Sequence, residues 1–326
     1  MADTPGGGNA ALGKEIVPHD LEVPARRLAE ITIRRMLAEQ GGITTSQAHL
    51  EGQDGYRKPV LLKVAAKAMS MDPEPNQRLV EEARLGSRVA HANVAQLFDL
   101  GRDEGRMFLL REWVVGIGMR PLLARTWEAR RSLPPAASLR IGLGVARALD
   151  HLHGLRAELW APEGVTHARV APANILISAA GEVKLANLTR SALNPRFDSQ
   201  ARQVDASFPA FAPPEVLQGG RPSPASDVFS LGAVLYEALG GSDSMLGATS
   251  SDWTRNRRVL DLHEEVASSD LPRRLRHVLA ASTSSDPEKR PSALEFKREL
   301  RRWMYDELDT DGEDELRQAV ANVGGR

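Results

Sequence analysis

The chain has 326 residues, long enough for two ordinary domains or for one two-lobed domain with tails. Its composition, 42% hydrophobic and 26% charged, is that of a soluble globular protein, and no apolar run reaches the roughly 18–20 residues a membrane-crossing helix needs. With 42 Lys and Arg against 43 Asp and Glu there is no net field to attract nucleic acid or acidic lipid, and zero cysteines exclude disulfides, thiolate catalysis and cysteine metal sites. The opening MADTPGGGNAALGKEIVPHD lacks the basic-then-apolar order of a secretory leader, so a cytoplasmic protein without a membrane span is expected. The eight histidines include no H-E-x-x-H spacing, which argues against a metal site.

Residues 1–20, rich in Gly and Ala with scattered charge, are expected to form a disordered tail. Over 21–114 the text reads as strands with one helix. ITIRRML, TTSQAHL and PVLLKVA are strand-like runs separated by the turn formers QGG and EGQDGY. NQRLVEEARLGSRVA repeats apolar residues at helical spacing, and VAQLFDLG and RMFLLREWV read as two further strands.

Helix dominates over 115–305. ASLRIGLGVARALDHLHGL places Leu139, Leu143, Val145, Leu149 and Leu152 near one face, and ASDVFSLGAVLYEALGG is apolar almost all round, as a buried central helix would be. LPRRLRHVLAASTS and SALEFKRELRRWMYDEL are amphipathic. In the acidic tail, 306–326, Glu307, Asp309, Asp311 and Gly312 echo a calcium loop. Gln318 stands where the bidentate glutamate should be, so a solvated acidic helix end is expected instead. The outline is an α+β chain of two lobes, a small β-rich one joined near Glu112 to Gly116 to a larger helical one.

Two segments carry a family resemblance. VTHARVAPANILISAAGEVKLANLTRS resembles the protein-kinase catalytic loop and metal-binding strand, H-R-D-L-K-P-x-N-I-L-I followed by V-K-L-x-D-F-G. FAPPEVLQGGRPSPASDVFSLGAVLYEAL is similar to the A-P-E segment and the buried helix after it, and DPEKRPSA to the closing D-P-x-x-R-P motif. Upstream, VLLKVA, EEARLGSRVAHANVAQLFDLG and FLLREWVVG fall where the family has its β3 lysine, its C-helix and its hinge. The motifs run in order over roughly 31–303, in the style of bacterial Ser/Thr kinases.

The resemblance implies a two-lobed protein-kinase-like fold and assigns roles by position. Glu215 and Arg290 match the ion pair tying the A-P-E segment to the C-lobe. Asp227 matches the aspartate that accepts hydrogen bonds from the catalytic-loop backbone, His167 a packing histidine, and Leu176 the apolar residue beneath the adenine. Lys63 stands at the phosphate-binding lysine and Glu82 at its C-helix partner, with Glu81 the alternative. Asn174 matches the second metal ligand.

The departures fall on the chemistry. Phosphoryl transfer needs phosphates held in line, a divalent metal and an acceptor for the hydroxyl proton. Arg169 occupies the position of the accepting aspartate, and a guanidinium cannot act as a base. Ala171 replaces the lysine that neutralises the moving phosphate. Asn187 replaces the metal-gripping aspartate of D-F-G by a neutral amide, and hard divalent ions favour carboxylate. Ala168 removes the arginine that reads a phosphorylated activation loop. In MLAEQGGITTSQAH the three glycine positions carry Ala38, Gln40 and Ile43, with Gly41 and Gly42 between them.

Leu61 replaces a small alanine of the adenine pocket, and Arg111 stands at the gatekeeper. Both are expected to fill the pocket, Arg111 needing a partner such as Glu82 or a path to solvent. The expected function is therefore that of a pseudokinase, a signalling scaffold or allosteric binding module for an unidentified protein partner. The alternative is a divergent Ser/Thr kinase or nucleotide-binding transferase. No cofactor is expected, ATP with magnesium fitting only if the pocket is open. The 154–166 insertion, carrying Trp160, is longer than the family usually allows and reads as an exposed loop with Trp160 as a lid on the core.

Overall fold

The computed structural model describes residues 30–66, 74–129, 132–155, 164–188, 208–240 and 262–324; the expected tail at 1–20 and Trp160 lie outside them. Five antiparallel strands, β1 (Ile31–Gln40), β2 (Ile43–Glu51), β3 (Arg57–Ala65), β4 (Leu97–Asp103) and β5 (Arg106–Glu112), form one sheet in the order β1-β2-β3-β5-β4. Helix α1 (Glu74–Gly86) packs on it. The period-two alternation of a strand divides β5 between two apolar clusters. Phe108 and Leu110 join Val60, Leu62 and Ala48 on one face, while Met107 and Leu109 meet Leu79 and Ala83 of α1 on the other. Burying each such leucine contributes about 1.5–3 kcal/mol.

The β1–β2 hairpin turns at Gly41 and Gly42, whose φ angles of 54° and 72° are open to glycine and match the two-residue turn that follows strand twist. This tip is held down. Arg78 of α1 donates to the Gly41 carbonyl at 3.3 Å, and the Ala66 N–H donates to the Gly42 carbonyl at 2.7 Å.

A second, three-stranded sheet follows, of β6 (Gly116–Gly118), β7 (Ile175–Ser178) and β8 (Val183–Leu185). Gly116 is required where β6 meets β7, since a Cβ there would stand 2.0 Å from the Ile177 carbonyl oxygen. The segment between α1 and β4 is stitched to β8. Asn93 Nδ2 donates to the Val183 carbonyl at 2.8 Å, and the Ala95 N–H donates to the Leu185 carbonyl at 2.9 Å.

The helical lobe contains α2 (Met119–Glu128), α3 (Pro135–Gly154), the short α4 (Phe208–Phe211) and α5 (Pro214–Leu217), α6 (Pro224–Ala238), α7 (Leu262–Ser268), α8 (Arg273–Ser282), α9 (Ala293–Trp303), a π-helical turn (Met304–Leu308) and α10 (Glu313–Gly324). Helices α3 and α6 form its centre. Their apolar residues are buried on nearly every side, and Ser138 Oγ donates to the Ala238 carbonyl at 3.0 Å. Ser223 and Ser226 form a reciprocal cap at the start of α6, with Pro224 at its first position.

The C-terminal end differs from the solvated acidic helix expected for it. Leu316 and Val320 of α10, four residues apart and 0% and 6% exposed, are inserted into the core, and the helix lies on α3. Its acids serve that docking. Arg140 of α3 bonds Asp311 at 3.3 Å and Glu313 at 2.7 Å, and Asp311 Oδ1 also accepts the Glu313 N–H at 3.0 Å.

Candidate functional site

The two lobes meet at a cleft whose upper wall is the face of β3 carrying Leu61 and Lys63. Leu61 is paired across the strands with Arg111 of β5. Lys63 Nζ donates to both carboxylate oxygens of Glu82 on α1, each at 2.9 Å, with the two side chains 13% and 12% exposed. Of the two neighbouring glutamates, Glu82 is thus the partner of Lys63.

Glu82 has a second cation. Arg111, 3% exposed, places one guanidinium N–H 2.6 Å from Glu82 Oε1 and donates from the other terminus to the Ala95 carbonyl at 3.1 Å. Burial would raise the Glu82 carboxyl, but Lys63 and Arg111 together hold it below its ordinary value. The Lys63 ammonium is depressed, chiefly by burial, with Glu82 opposing and Arg111 reinforcing that shift.

The lower wall is the loop before β7. Asp227 of α6, 1% exposed, shapes it by accepting the backbone N–H groups of His167 and Ala168, both at 2.7 Å, and His153 Nε2 at 2.9 Å. These bonds hold Ala168 at φ 65°, a left-handed conformation that costs a residue with a Cβ roughly 1–2 kcal/mol. Burial keeps the His167 imidazole below its usual pKa and neutral. Its Nε2–H donates to the Ala186 carbonyl at 3.0 Å while Nδ1 accepts from the Arg169 N–H at 3.3 Å, so it is a packing residue.

Three amide and ammonium groups then close the cleft floor. Lys63 Nζ also donates to Asn187 Oδ1 at 3.3 Å, Asn187 Nδ2 donates to Asn174 Oδ1 at 2.9 Å, and Asn174 Nδ2 donates to the Arg169 carbonyl at 2.7 Å. A continuous chain thus runs from Arg111 through Glu82, Lys63, Asn187 and Asn174 to the loop at Arg169. The side-chain oxygens of Asn174 and Asn187, the atoms positioned to ligate a metal, each accept a protein proton donor. Among the described residues no cluster of three or more metal-binding side chains exists. Two neutral amide oxygens that already accept hydrogen bonds are a poor donor set for a hard divalent cation, which favours carboxylate oxygens.

Other expected positions are accounted for. Ala38 and Gln40 end β1 and Ile43 starts β2, on either side of the pinned turn. Ala171 is buried, and Leu176 lies in β7. Away from the cleft, Arg290 grips Glu215 with two parallel bonds of 2.7 and 2.9 Å, and also donates to the carbonyls of Ser284 and Ala225. Ser226 Oγ adds a third donor to Glu215 at 2.9 Å. Burial would raise the Glu215 carboxyl, but the Arg290 hydrogen bonds bring it below its ordinary value. Motif positions alone left unseen the Arg78 clamp on Gly41, the Asn93 tie to β8 and the amide chain. Arg78 lies in no motif, Asn93 lies in a motif segment that gives it no role, and the pairing of Asn174 with Asn187 is not readable from either position alone.

Comparison with known proteins agrees with this geometry. The protein kinase domain family matches residues 47–300. The tyrosine-protein kinase MasK of Myxococcus xanthus is 27% identical over 287 residues, covering 85% of this chain and 43% of MasK. Two proteins of Mycobacterium tuberculosis are also similar. The serine/threonine-protein kinase PknL is 30% identical over 236 residues, covering 72% of this chain and 56% of PknL. The serine/threonine-protein kinase PknA is 33% identical over 221 residues, covering 66% and 48%. The chain spans about half the length of these relatives. No helix among the described residues is long and apolar enough to cross a membrane. With its β-rich and helical lobes, its Lys63–Glu82 pair and its Glu215–Arg290 tie, the chain belongs to the protein kinase family.

Proposed function

We propose that this chain is a pseudokinase, a kinase-shaped module that acts in cytoplasmic signalling by binding a protein partner and does not transfer phosphate. The observation that carries this reading is the self-contained chain of the cleft. Lys63 is paired with Glu82 and Asn187, and the oxygens of Asn174 and Asn187 are taken by protein donors. Family members normally use ATP with magnesium, and here the magnesium position offers no carboxylate. Arg169, at the position of the proton acceptor, offers donors alone. The tip of the β1–β2 hairpin is tied to α1 through Arg78, which opposes its descent over a polyphosphate.

The binding role is supported by what is kept. Asp227, Glu215 and Arg290 preserve the framework of the helical lobe with fully satisfied buried polar groups. Retaining a shape at that cost of buried charge is consistent with a surface that partners read. The second reading, a divergent Ser/Thr kinase or nucleotide-binding transferase, draws on the retained Lys63–Glu82 pair at 2.9 Å. Incubation with radiolabelled ATP, magnesium or manganese, and a generic protein substrate separates the two. The expected result is no label above that of the Lys63→Ala variant. Label transfer that Lys63→Ala abolishes would overturn the proposal.

A further inference from the structure

Helix α10 lies outside the 47–300 match to the kinase family and is seated on the helical lobe as a separate piece. A short connection, 309–312, precedes it, with Asp309 at φ 49° and Gly312 at φ 73° in left-handed conformations at its two ends. A Cβ on Gly312 would stand 2.3 Å from the Ala136 carbonyl oxygen, so glycine lets the chain cross close to the start of α3. The surface beneath α10 is built to receive a helix. Leu316 and Val320, one turn apart, enter the core, and the lobe supplies a cation at each end of the helix. Arg140 of α3 bonds Asp311 and Glu313 at the N-terminal end, and Arg125 of α2 donates to the Val323 carbonyl in the last turn. Acids at the start of a helix and cations at its end are the arrangement that the peptide dipoles favour. Gly181, in the turn between β7 and β8, completes the seat, since a Cβ there would stand 2.9 Å from Arg317 Cγ.

The fit of α10 to this seat is incomplete. Beside its buried stripe runs a second one, Glu315, Ala319 and Val323, facing α2. Among the described residues a groove of about 700 Å³ remains there, lined also by Ala129, Leu133 and Pro134, and the short side chains of Ala319 and Val323 leave it unfilled. The ion pairs at the N-terminal end are exposed, Asp311 by 64% and Glu313 by 43%, so they hold it weakly. A helix as short as α10 is marginal by itself, so it keeps its form only while seated.

We propose that this seat is a docking groove for an amphipathic helix of a partner protein, and that α10 occupies it in cis until the partner displaces it. The proposal rests on the protein-binding reading above and names the surface and the kind of partner. The partner's helix shares the plan of α10, an acidic first turn and apolar residues one turn apart, with larger apolar side chains at the positions of Ala319 and Val323. That difference selects a partner over a second copy. A second copy brings the same Ala319 and Val323, and so gains no contact over the cis helix, which its short connection keeps at high effective concentration.

The probe is a fluorescent peptide of residues 309–326 carrying Ala319→Leu and Val323→Leu, titrated against the full chain by polarisation. The expected result is that it binds, that the peptide without the two leucines binds about tenfold more weakly, and that Leu316→Asp in the peptide abolishes binding. In the chain itself, Leu316→Ala with Val320→Ala should raise affinity for the probe about tenfold by freeing the seat. Hydrogen exchange of the unmodified chain makes the test independent of how that variant folds. Saturating peptide should speed exchange of amides 315–323 of the chain and leave α6 protected. No binding of the leucine peptide to either chain, binding that Leu316→Asp in the peptide leaves intact, or exchange at 315–323 unchanged by the peptide overturns the proposal. A dimer of the unmodified chain in sedimentation, dispersed by the peptide, assigns the seat to a second copy and overturns it as well. None of these readouts involves nucleotide, so failure here is distinct from failure of the label-transfer test.

Discussion

Two partly buried carboxylates organise this molecule, and they are balanced differently. Glu215 faces one arginine, Arg290, whose side chain is 0% exposed and whose remaining N–H groups all reach backbone carbonyls. Glu82 faces two cations at once, Lys63 and Arg111. The first arrangement is charge-neutral, so neither partner can be removed without stranding the other. The second carries one surplus cation. Either Lys63 or Arg111 alone would keep Glu82 paired, and the cleft of this lobe tolerates loss of one cation in a way the Glu215 site cannot. A buried pair is thus informative about the fold only when its stoichiometry is counted.

Substitutions can break that contrast. Glu215→Ala leaves the Arg290 guanidinium buried without its carboxylate, and the expected loss is about 3–5 kcal/mol in chemical denaturation. Arg111→Met keeps a similar apolar volume and leaves Glu82 to Lys63, so the expected change is within about 1 kcal/mol in either direction. A loss for Arg111→Met as large as that for Glu215→Ala would show that the two sites are balanced alike.

The smallest expected effect is a dependence on pH at the junction of the lobes. His91, in the segment stitched to β8, stacks on His151 of α3 with ring centres 4.9 Å apart. Burial, His151, Arg147 and Lys297 hold the His91 pKa below its ordinary 6.5, against the attraction of Asp150. The folded state therefore favours the neutral ring. The stability this contributes is complete above pH 6.5 and is lost as pH falls through that value toward the folded pKa. Melting curves between pH 7.5 and about 5.5 should show a smaller loss for His91→Gln than for the unmodified chain. Equal losses would assign the pH dependence to other groups, such as His167, which burial also keeps neutral.

Much of this was legible in the residues. The strand runs around Val60 and Leu62 and the nearly all-apolar α6 announce themselves because each is a local pattern with its own period. Lys63, Glu82, Glu215 and Arg290 were legible because ordered motifs place them, although none contacts its partner in sequence. The docking of the C-terminal helix α10 is not legible because its acids dominate the text, while it depends on the two side chains Leu316 and Val320, a weak signal in a short segment. The Arg78 clamp and the amide chain were illegible for a different reason. They depend on side-chain direction across elements far apart in sequence, such as Lys63 and Asn187, and no periodicity records that.

The amide of Asn187 also bears on how this cleft would respond to a carboxylate at the same position. An aspartate there would set a bare oxygen against Asn174 Oδ1, across a gap now bridged by a 2.9 Å hydrogen bond. Asn174 could not rotate its amide to compensate without dropping its bond to the Arg169 carbonyl. Placing a carboxylate there is therefore uphill unless a cation is supplied at the same moment. Asn187→Asp should melt lower than the unmodified chain in a chelator and recover part of the difference in millimolar magnesium. One proton donor in the right place thus decides which charge this position accepts.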